Sequence, residues 1–126
     1  MQADSRYFTF EESKETISKK KYNPNARREK RSTYTFKSGA TYDGEWRGGF
    51  RDGFGIQKWP DGAQYEGEWK DNRAYGRGKF LHIDGDIYEG QWVNDKANGH
   101  GVYIHINGAR YEGYWKDDLQ HGEGKE

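Results

Sequence analysis

The sequence lacks several features that define common classes of protein. None of its 126 residues is a cysteine, which excludes disulfides, thiol catalysis and cysteine-based zinc sites. No run of 18 apolar residues could form a transmembrane helix, and no N-terminal segment resembles a signal peptide. Only 31% of the residues are hydrophobic, which is too few for a thick core. We therefore expect an intracellular protein with a thin fold.

Aromatic residues and glycine are abundant, and the charges are unevenly distributed. Aromatics make up 17% of the chain, too many for a disordered polymer. Basic and acidic residues balance at 21 each, which argues against a nucleic-acid partner. However, residues 1–38 carry a net charge of +5 (10 basic, 5 acidic) and residues 39–126 a net charge of −5 (11 basic, 16 acidic). All 18 glycines and all five tryptophans lie in the second part. This division predicts a basic arm over residues 1–32 and a separate body over residues 33–126.

The body is built from a motif that recurs every 23 residues. The segment Tyr-(Asp/Glu)-Gly-x-Trp begins at Tyr42, Tyr65, Tyr88 and Tyr111, with no insertion between copies. A Gly-x-Gly motif and a glycine three residues before each of these tyrosines keep the same period. Three motifs with one period predict a repeat array. Its units are a half unit (33–41), three full units (42–64, 65–87, 88–110) and a partial unit (111–126).

Each unit is predicted to form a β-hairpin. Tyr65, Gly67 and Trp69 alternate with Glu66 and Glu68, and a period of two places the two sets on opposite faces of a strand. A second strand is expected over 78–83 and 101–106. Asp-Gly or Asn-Gly pairs predict tight turns between units, and a longer connection such as 70–75 is expected within each unit.

The predicted fold class is all-β: an elongated, single-layer antiparallel meander of about eight strands, with a mostly irregular or short-helical basic arm. The Tyr/Trp pairs share a face with Phe36, Trp59, Phe80 and Tyr103. These rings would bury one side of the sheet, either as a spine that fills itself or as a groove for a ligand. The glycine between each Tyr and Trp would leave room for a neighbouring ring.

These motifs resemble the MORN repeat (membrane occupation and recognition nexus), over about residues 33–126. Ser32 departs from the pattern, because glycine would be expected there. The resemblance implies an elongated sheet of stacked hairpins and a scaffolding role in ciliary and cytoskeletal assemblies, in junction-forming proteins and beside lipid-kinase domains. The function predicted is a non-enzymatic scaffold or protein-interaction module of a larger assembly, with a cilium or cytoskeleton suspected. The alternative is a phosphoinositide-responsive membrane adaptor.

No set of residues predicts catalysis or cofactor binding. Paired carboxylates such as Glu66 and Glu68 recur in other units, which is typical of a solvated face rather than an acid–base site. His82 and His105 replace aromatic residues of the repeat, and the four histidines have no metal-ligand spacing. We therefore predict no catalytic residue, metal, cofactor or small-molecule substrate.

The basic arm is the strongest candidate for partner binding. Thr9 followed by Glu12 resembles a capping box and predicts a short helix over about residues 10–20. Beyond it lie the cationic residues predicted to bind a partner. These are Lys19, Lys20, Lys21, Arg27, Arg28, Lys30 and Arg31. Three interpretations remain open: a solvated tail, an anchor on an acidic protein surface such as that of a microtubule, or a contact with anionic lipid.

The C-terminal end of the array offers a second candidate. The partial unit shows Tyr111 and Trp115 on its first strand but only residues 124–126 of the expected second strand. The sequence therefore predicts that residues 109–116 form an open edge and that both rings are uncovered on one side. A partner would add a strand there, and the charges of the arm suggest tethering rather than sheet pairing.

Overall fold

The computed structural model describes residues 5–17 and 21–125, except for the side chains of Ser5 and Glu123. It contains a 3-10 turn (Ser5–Tyr7), one helix, α1 (Phe10–Glu15), and ten strands. The first strands are β1 (Arg28–Lys30), β2 (Tyr34–Thr35), β3 (Thr41–Arg47), β4 (Phe50–Lys58) and β5 (Gln64–Lys70). The remaining strands are β6 (Arg73–Leu81), β7 (Ile87–Val93), β8 (Lys96–Ile104), β9 (Arg110–Lys116) and β10 (Leu119–Lys125).

The strands form one open sheet in which neighbours in sequence are neighbours in space. Strands β3 to β10 pair successively, and every pair is antiparallel. Strands β1 and β2 both pair with β3, at Arg28↔Arg47 and Tyr34↔Tyr42. The predicted fold class, a single-layer antiparallel meander of stacked hairpins, is thus confirmed. The arm contributes the short strand β1, which pairs with β3 at the N-terminal edge and not with the C-terminal end of the array.

The turns within the units differ from the prediction. Strands β5 and β6 are joined by only Asp71 and Asn72, whose φ angles of 51° and 67° are left-handed. A two-residue turn of this hand matches the twist of the strands it joins, and Asp and Asn tolerate it without glycine. Strand β6 therefore begins at Arg73, and the predicted long connection over 70–75 is wrong. The longer connections are the Asp-Gly segments, such as residues 59–63 between β4 and β5.

A row of glycines crosses the sheet in register. Gly67 on β5 lies between Gly55 on β4 and Gly78 on β6. The same pairing of glycines recurs in the later units. A Cβ on Gly67 would lie 2.5 Å from the Gly78 Cα, and a Cβ on Gly78 would enter the Tyr65 ring. The close approach therefore involves the partner backbone and the tyrosine of the same unit. The expected neighbouring ring is the Tyr65 ring, and the backbone of the adjoining strand adds a second constraint.

The aromatic side chains fill one face of the sheet, which we call the aromatic face. The repeated tyrosines and tryptophans alternate in a zigzag of edge-to-face contacts with centroids 4.9–5.8 Å apart. Tyr65 and Trp69 are 0% and 2% exposed, whereas Glu68 on the opposite, outer face is exposed. The predicted faces are confirmed. The rings fill the space against one another, so the structure favours the self-filling spine over a ligand groove.

The C-terminal edge is not as predicted. Strand β10 pairs with β9 from Leu119↔Lys116 to Lys125↔Glu112, with one bulge. Strand β10 begins at Leu119, directly after the two-residue turn Asp117–Asp118, which the sequence analysis did not identify. The prediction that residues 109–116 form an open edge is therefore wrong.

Candidate protein-interaction surface

The N-terminal arm packs against the aromatic face of the first units. Phe8 inserts among five rings, with centroid distances of 5.3 Å to Trp59, 5.6 Å to Tyr65 and 5.8 Å to Trp69. Tyr7 lies 5.1 Å from Trp59 as well. Because aromatic contacts of this geometry add to the energy of burial, they fix the arm on the sheet. The described part of the arm is therefore an integral element of the fold, not a solvated tail.

A buried polar network joins α1 to the first repeat unit. Thr9 caps α1 by accepting the Glu12 backbone N–H at 3.3 Å, and the helix ends at Glu15, earlier than predicted. The Glu12 carboxylate is 4% exposed and accepts a 2.8 Å hydrogen bond from the Gln57 amide. Gln57 in turn accepts a hydrogen bond from Arg51. Buried polar groups need such partners, so the arm and the unit satisfy each other.

Arg51 is the centre of this network. Its side chain is fully buried, with the guanidinium 4.4 Å above the Trp69 ring and Nε 2.6 Å from the Asn72 Oδ1. Burial lowers the pKa of Arg51 to about 10, which still leaves it charged at neutral pH. The arm supplies the Ser13 hydroxyl to the guanidinium and the Ser13 carbonyl to Asn72. A buried cation of this kind requires all its partners.

The first unit departs from the repeat at the residues that hold the arm. Arg51, Asp52 and Gln57 stand where the second unit has Ala74, Tyr75 and Phe80. The sequence analysis did not ask why polar Gln57 interrupts the aromatic series at this position of the repeat. A departure from the repeat at a buried position was the signal that could have located the docking site of the arm.

Restoring the repeat residues in the first unit should release the arm. In the variant Arg51→Ala/Gln57→Phe, Glu12 loses its bond from Gln57 and the Ser13 hydroxyl loses its bond from Arg51, so we expect α1 to detach while the ribbon remains folded. Amide exchange should then accelerate at least tenfold, or roughly 1.4 kcal/mol of protection, in residues 10–15 and stay unchanged in β7 and β8. The matched control, Ala97→Ser in the third unit, should leave the arm protected. Unchanged exchange in α1 would contradict the role of the network.

Asp52 holds the second half of the arm. Its buried carboxylate accepts hydrogen bonds from Arg28 (2.5 Å from Nη2), from the Tyr22 hydroxyl (2.8 Å) and from the Asp71 backbone (3.1 Å). Burial alone would raise the pKa of Asp52, but the hydrogen bonds from Arg28 and Tyr22 outweigh it and hold this pKa below its ordinary value. The carboxylate therefore stays charged and positions β1 on the edge of the sheet.

Of the cationic residues predicted to bind a partner, Arg28 and Lys30 lie on β1, and Lys21, Arg27 and Arg31 precede or follow it in the chain. Lys19 and Lys20 are outside the described residues. Arg28 forms a salt bridge with Asp52 but its side chain remains 41% exposed. The Arg31 Nη2 lies 2.7 Å from the Glu29 Oε1. The exposed members of the group form a surface that we call the basic edge. They are Lys21, Arg27, Arg28, Lys30 and Arg31.

The two aromatic residues predicted to bind a partner occupy a different environment. Tyr111 is 5% exposed and Trp115 is 2% exposed. Trp115 stacks on Tyr103 at 6.0 Å and donates its indole N–H to the Gly101 carbonyl at 3.3 Å. The premise that these rings are uncovered is therefore wrong, and both belong to the core.

Glu68, Asp86 and His105 have structural partners. The Glu68 carboxylate accepts the Arg77 backbone N–H at 2.6 Å, and Asp86 accepts the Tyr103 hydroxyl at 2.9 Å and lies 3.3 Å from His105. Within residues 5–17 and 21–125, no three His, Asp or Glu side chains are grouped so that they could hold a metal ion. Neither of the helical segments in these ranges is long and apolar enough to cross a membrane.

The fold and its surface define an elongated repeat protein, a class that uses its extended faces to bind other molecules. The family model of the MORN repeat matches four times, at residues 42–64, 65–87, 88–110 and 111–126. The chain belongs to the MORN-repeat family, as its motifs predicted. Repeats of this family form modules for protein interaction or membrane association, and they are generally non-catalytic. A comparison with curated proteins found no match.

Proposed function

We propose that the protein is a non-enzymatic scaffold that attaches to an acidic protein surface through its basic edge, within a cytoskeletal or ciliary assembly. The observation that carries this proposal is the fixed position of the cations. Lys30 lies on β1, which pairs with β3 opposite Glu45, and Arg28 is held by Asp52. Charges on a fixed element lose little conformational entropy on binding.

The distribution of charge supports an acidic partner. Residues 1–38 carry a net charge of +5 and residues 39–126 a net charge of −5, so the N-terminal region is basic and the rest of the chain acidic. A positive patch steers association with a negative surface and orients the complex. Microtubules offer an acidic surface of this kind, and they are the partner that we would test first.

Co-sedimentation with microtubules tests the proposal on the full chain. The variant Lys21→Glu/Arg27→Glu/Lys30→Glu should bind at least about tenfold more weakly than the parent, because rim charges control association. Its control is Lys96→Glu/Lys116→Glu/Lys125→Glu, which changes charge equally on exposed residues of the body. Binding by the parent should also weaken as salt rises from about 0.05 to 0.3 M. Failure of the parent to sediment, or equal loss in both variants, would refute the proposal.

A phosphoinositide-containing membrane is the alternative target of the same surface. Each Lys or Arg close to an anionic bilayer contributes about 1 kcal/mol, so the exposed cations of the basic edge would give measurable binding. The acidic body opposes this attraction. Flotation with vesicles containing phosphatidylserine and a phosphoinositide distinguishes the two targets. Vesicle binding that the arm variant abolishes, without microtubule binding, would favour the membrane adaptor.

A further inference from the structure

The outer face of the sheet carries an exposed group of aliphatic side chains, which we call the aliphatic patch. Leu81 on β6, Ile87 on β7 and Ile104 on β8 lie directly opposite one another across three strands, and each is half-buried. Ile83 and Ile106, in the connections that follow β6 and β8, are 63% and 75% exposed. The arm packs on the opposite face and leaves these side chains exposed. Contiguous exposed aliphatics are uncommon on soluble proteins and often mark a binding site.

The repeat provides an internal test of whether the fold needs these residues. Leu81 and Ile104 correspond to Lys58 in the first unit, and Ile87 corresponds to Gln64 there and to Arg110 at the end of the third unit. These polar residues lie on the same strands of the hairpin, in units with the same pairing. The hairpin therefore forms without an aliphatic residue at these positions. The patch is confined to the second and third units.

We propose that the aliphatic patch binds one amphipathic helix of a partner protein, with an apolar stripe flanked by basic residues. Three adjacent strands span about 10 Å, since neighbouring strands lie about 4.8 Å apart. This width matches the diameter of a single helix, about 10–12 Å. A stable contact with a second copy of the chain would need about 800 Å² from each partner, far more than five or six side chains on three strands provide.

The rim of the patch determines the charge of the partner. Glu89 on β7 and Glu112 on β9 lie opposite Val102, two residues from Ile104 on β8, and Asp84 follows Ile83. Lys79 lies opposite Glu89, and Arg110 lies opposite Ile104. Residues 39–126 together have a net charge of −5. A helix with basic flanks therefore complements the rim, and an acidic helix or an anionic bilayer does not. This site is separate from the basic edge, so the scaffold would hold two partners of opposite charge.

Binding of synthetic helical peptides tests the proposal on the full chain. The probe is a fluorescein-labelled peptide of about 18 leucines and lysines, with the leucines on one helical face. Fluorescence anisotropy should show binding by the parent. The variant Leu81→Thr/Ile87→Gln/Ile104→Thr should bind the peptide at least about tenfold more weakly. It leaves the net charge unchanged and uses residue types found along the same row of the sheet, at Thr41 and Gln64.

Two controls separate the patch from general adhesion. Val93→Thr removes an exposed aliphatic residue of the outer face outside the patch, and it should change binding by less than about twofold. A peptide with glutamate in place of lysine should bind at least about fivefold more weakly than the lysine peptide. Equal binding by the parent and the triple variant, or a preference for the glutamate peptide, would overturn the proposal. A dimer of the parent that the triple variant abolishes would overturn it too, since the occupant would then be a second copy.

Discussion

Replacing Trp69 with alanine is expected to lower the free energy of unfolding by about 3–5 kcal/mol, as large aromatic truncations in cores do. Trp69 is 2% exposed, and its ring lies 5.1 Å from Tyr65 and 5.4 Å from Tyr42 of the preceding unit. The ring also stacks under the buried Arg51 guanidinium, and its indole N–H bonds the Gly55 carbonyl at 3.2 Å. The substitution would therefore leave a cavity, remove the ring beneath the Arg51 guanidinium and remove the indole bond to the Gly55 carbonyl.

Chemical denaturation monitored by circular dichroism measures this loss. The control is Glu66→Ala, on the outer face of the same strand. It should change the free energy of unfolding by less than about 0.5 kcal/mol. Glu68 is a poorer control, because its carboxylate bonds the Arg77 backbone N–H. Similar midpoints for Trp69→Ala and Glu66→Ala would mean that the two faces of the sheet are assigned the wrong way round.

Gly67→Ala is expected to cost about 3 kcal/mol or more, at the upper end of the overpacking range. The added methyl group would lie 2.5 Å from the Gly78 Cα, 2.6 Å from the Arg77 carbonyl oxygen and 2.8 Å from the Tyr65 hydroxyl. Two of these neighbours are backbone atoms of the adjoining strand, so relief of the clash requires the two strands to separate. Thermal unfolding should show a lower midpoint, with a matching loss of amide protection in β5 and β6.

Gly48→Asn provides the control for this glycine substitution. Gly48 has a φ of 62°, and a Cβ there would meet no atom within 4 Å. Asp71, Asn94 and Asp117 occupy the equivalent turn position in the later units with φ of 48–51°. Asparagine should therefore be neutral or stabilise the fold by up to about 1 kcal/mol. If Gly67→Ala were as stable as Gly48→Asn, the glycine row would not be needed for close strand packing.

The repeat made most of the fold predictable. A fixed period of 23 residues and alternation within 63–69 determine the sheet, its antiparallel order and the buried face, because side chains alternate strictly along a strand. The turns were misread, since glycine was taken as the marker of a positive φ. Asp71 and Asn72 adopt that conformation without glycine, and this error also removed the first half of β10 from the predicted strand.

The docking of the arm could not be predicted from the same pattern. It depends on single contacts between residues far apart in sequence, such as Glu12 with Gln57 and Tyr22 with Asp52. Glu12 and Tyr22 belong to no repeat, and the charge of the arm left open whether it is a solvated tail, a protein anchor or a lipid contact. Among the residues predicted to bind a partner, the described cations from Lys21 to Arg31 are on the surface, whereas Tyr111 and Trp115 are in the core.

One recurrent set of side-chain bonds between units joins a later side chain to earlier backbone. Trp69, Trp92 and Trp115 each donate an indole N–H to a glycine carbonyl 14 residues earlier. Asp95 and Asp118 likewise accept the backbone N–H of Ala74 and Ala97, 21 residues earlier. Each hairpin thus bonds to backbone that the ribosome has already released. A nascent chain can therefore add hairpins in the order of synthesis, with the arm and the first unit as the template on which the series starts.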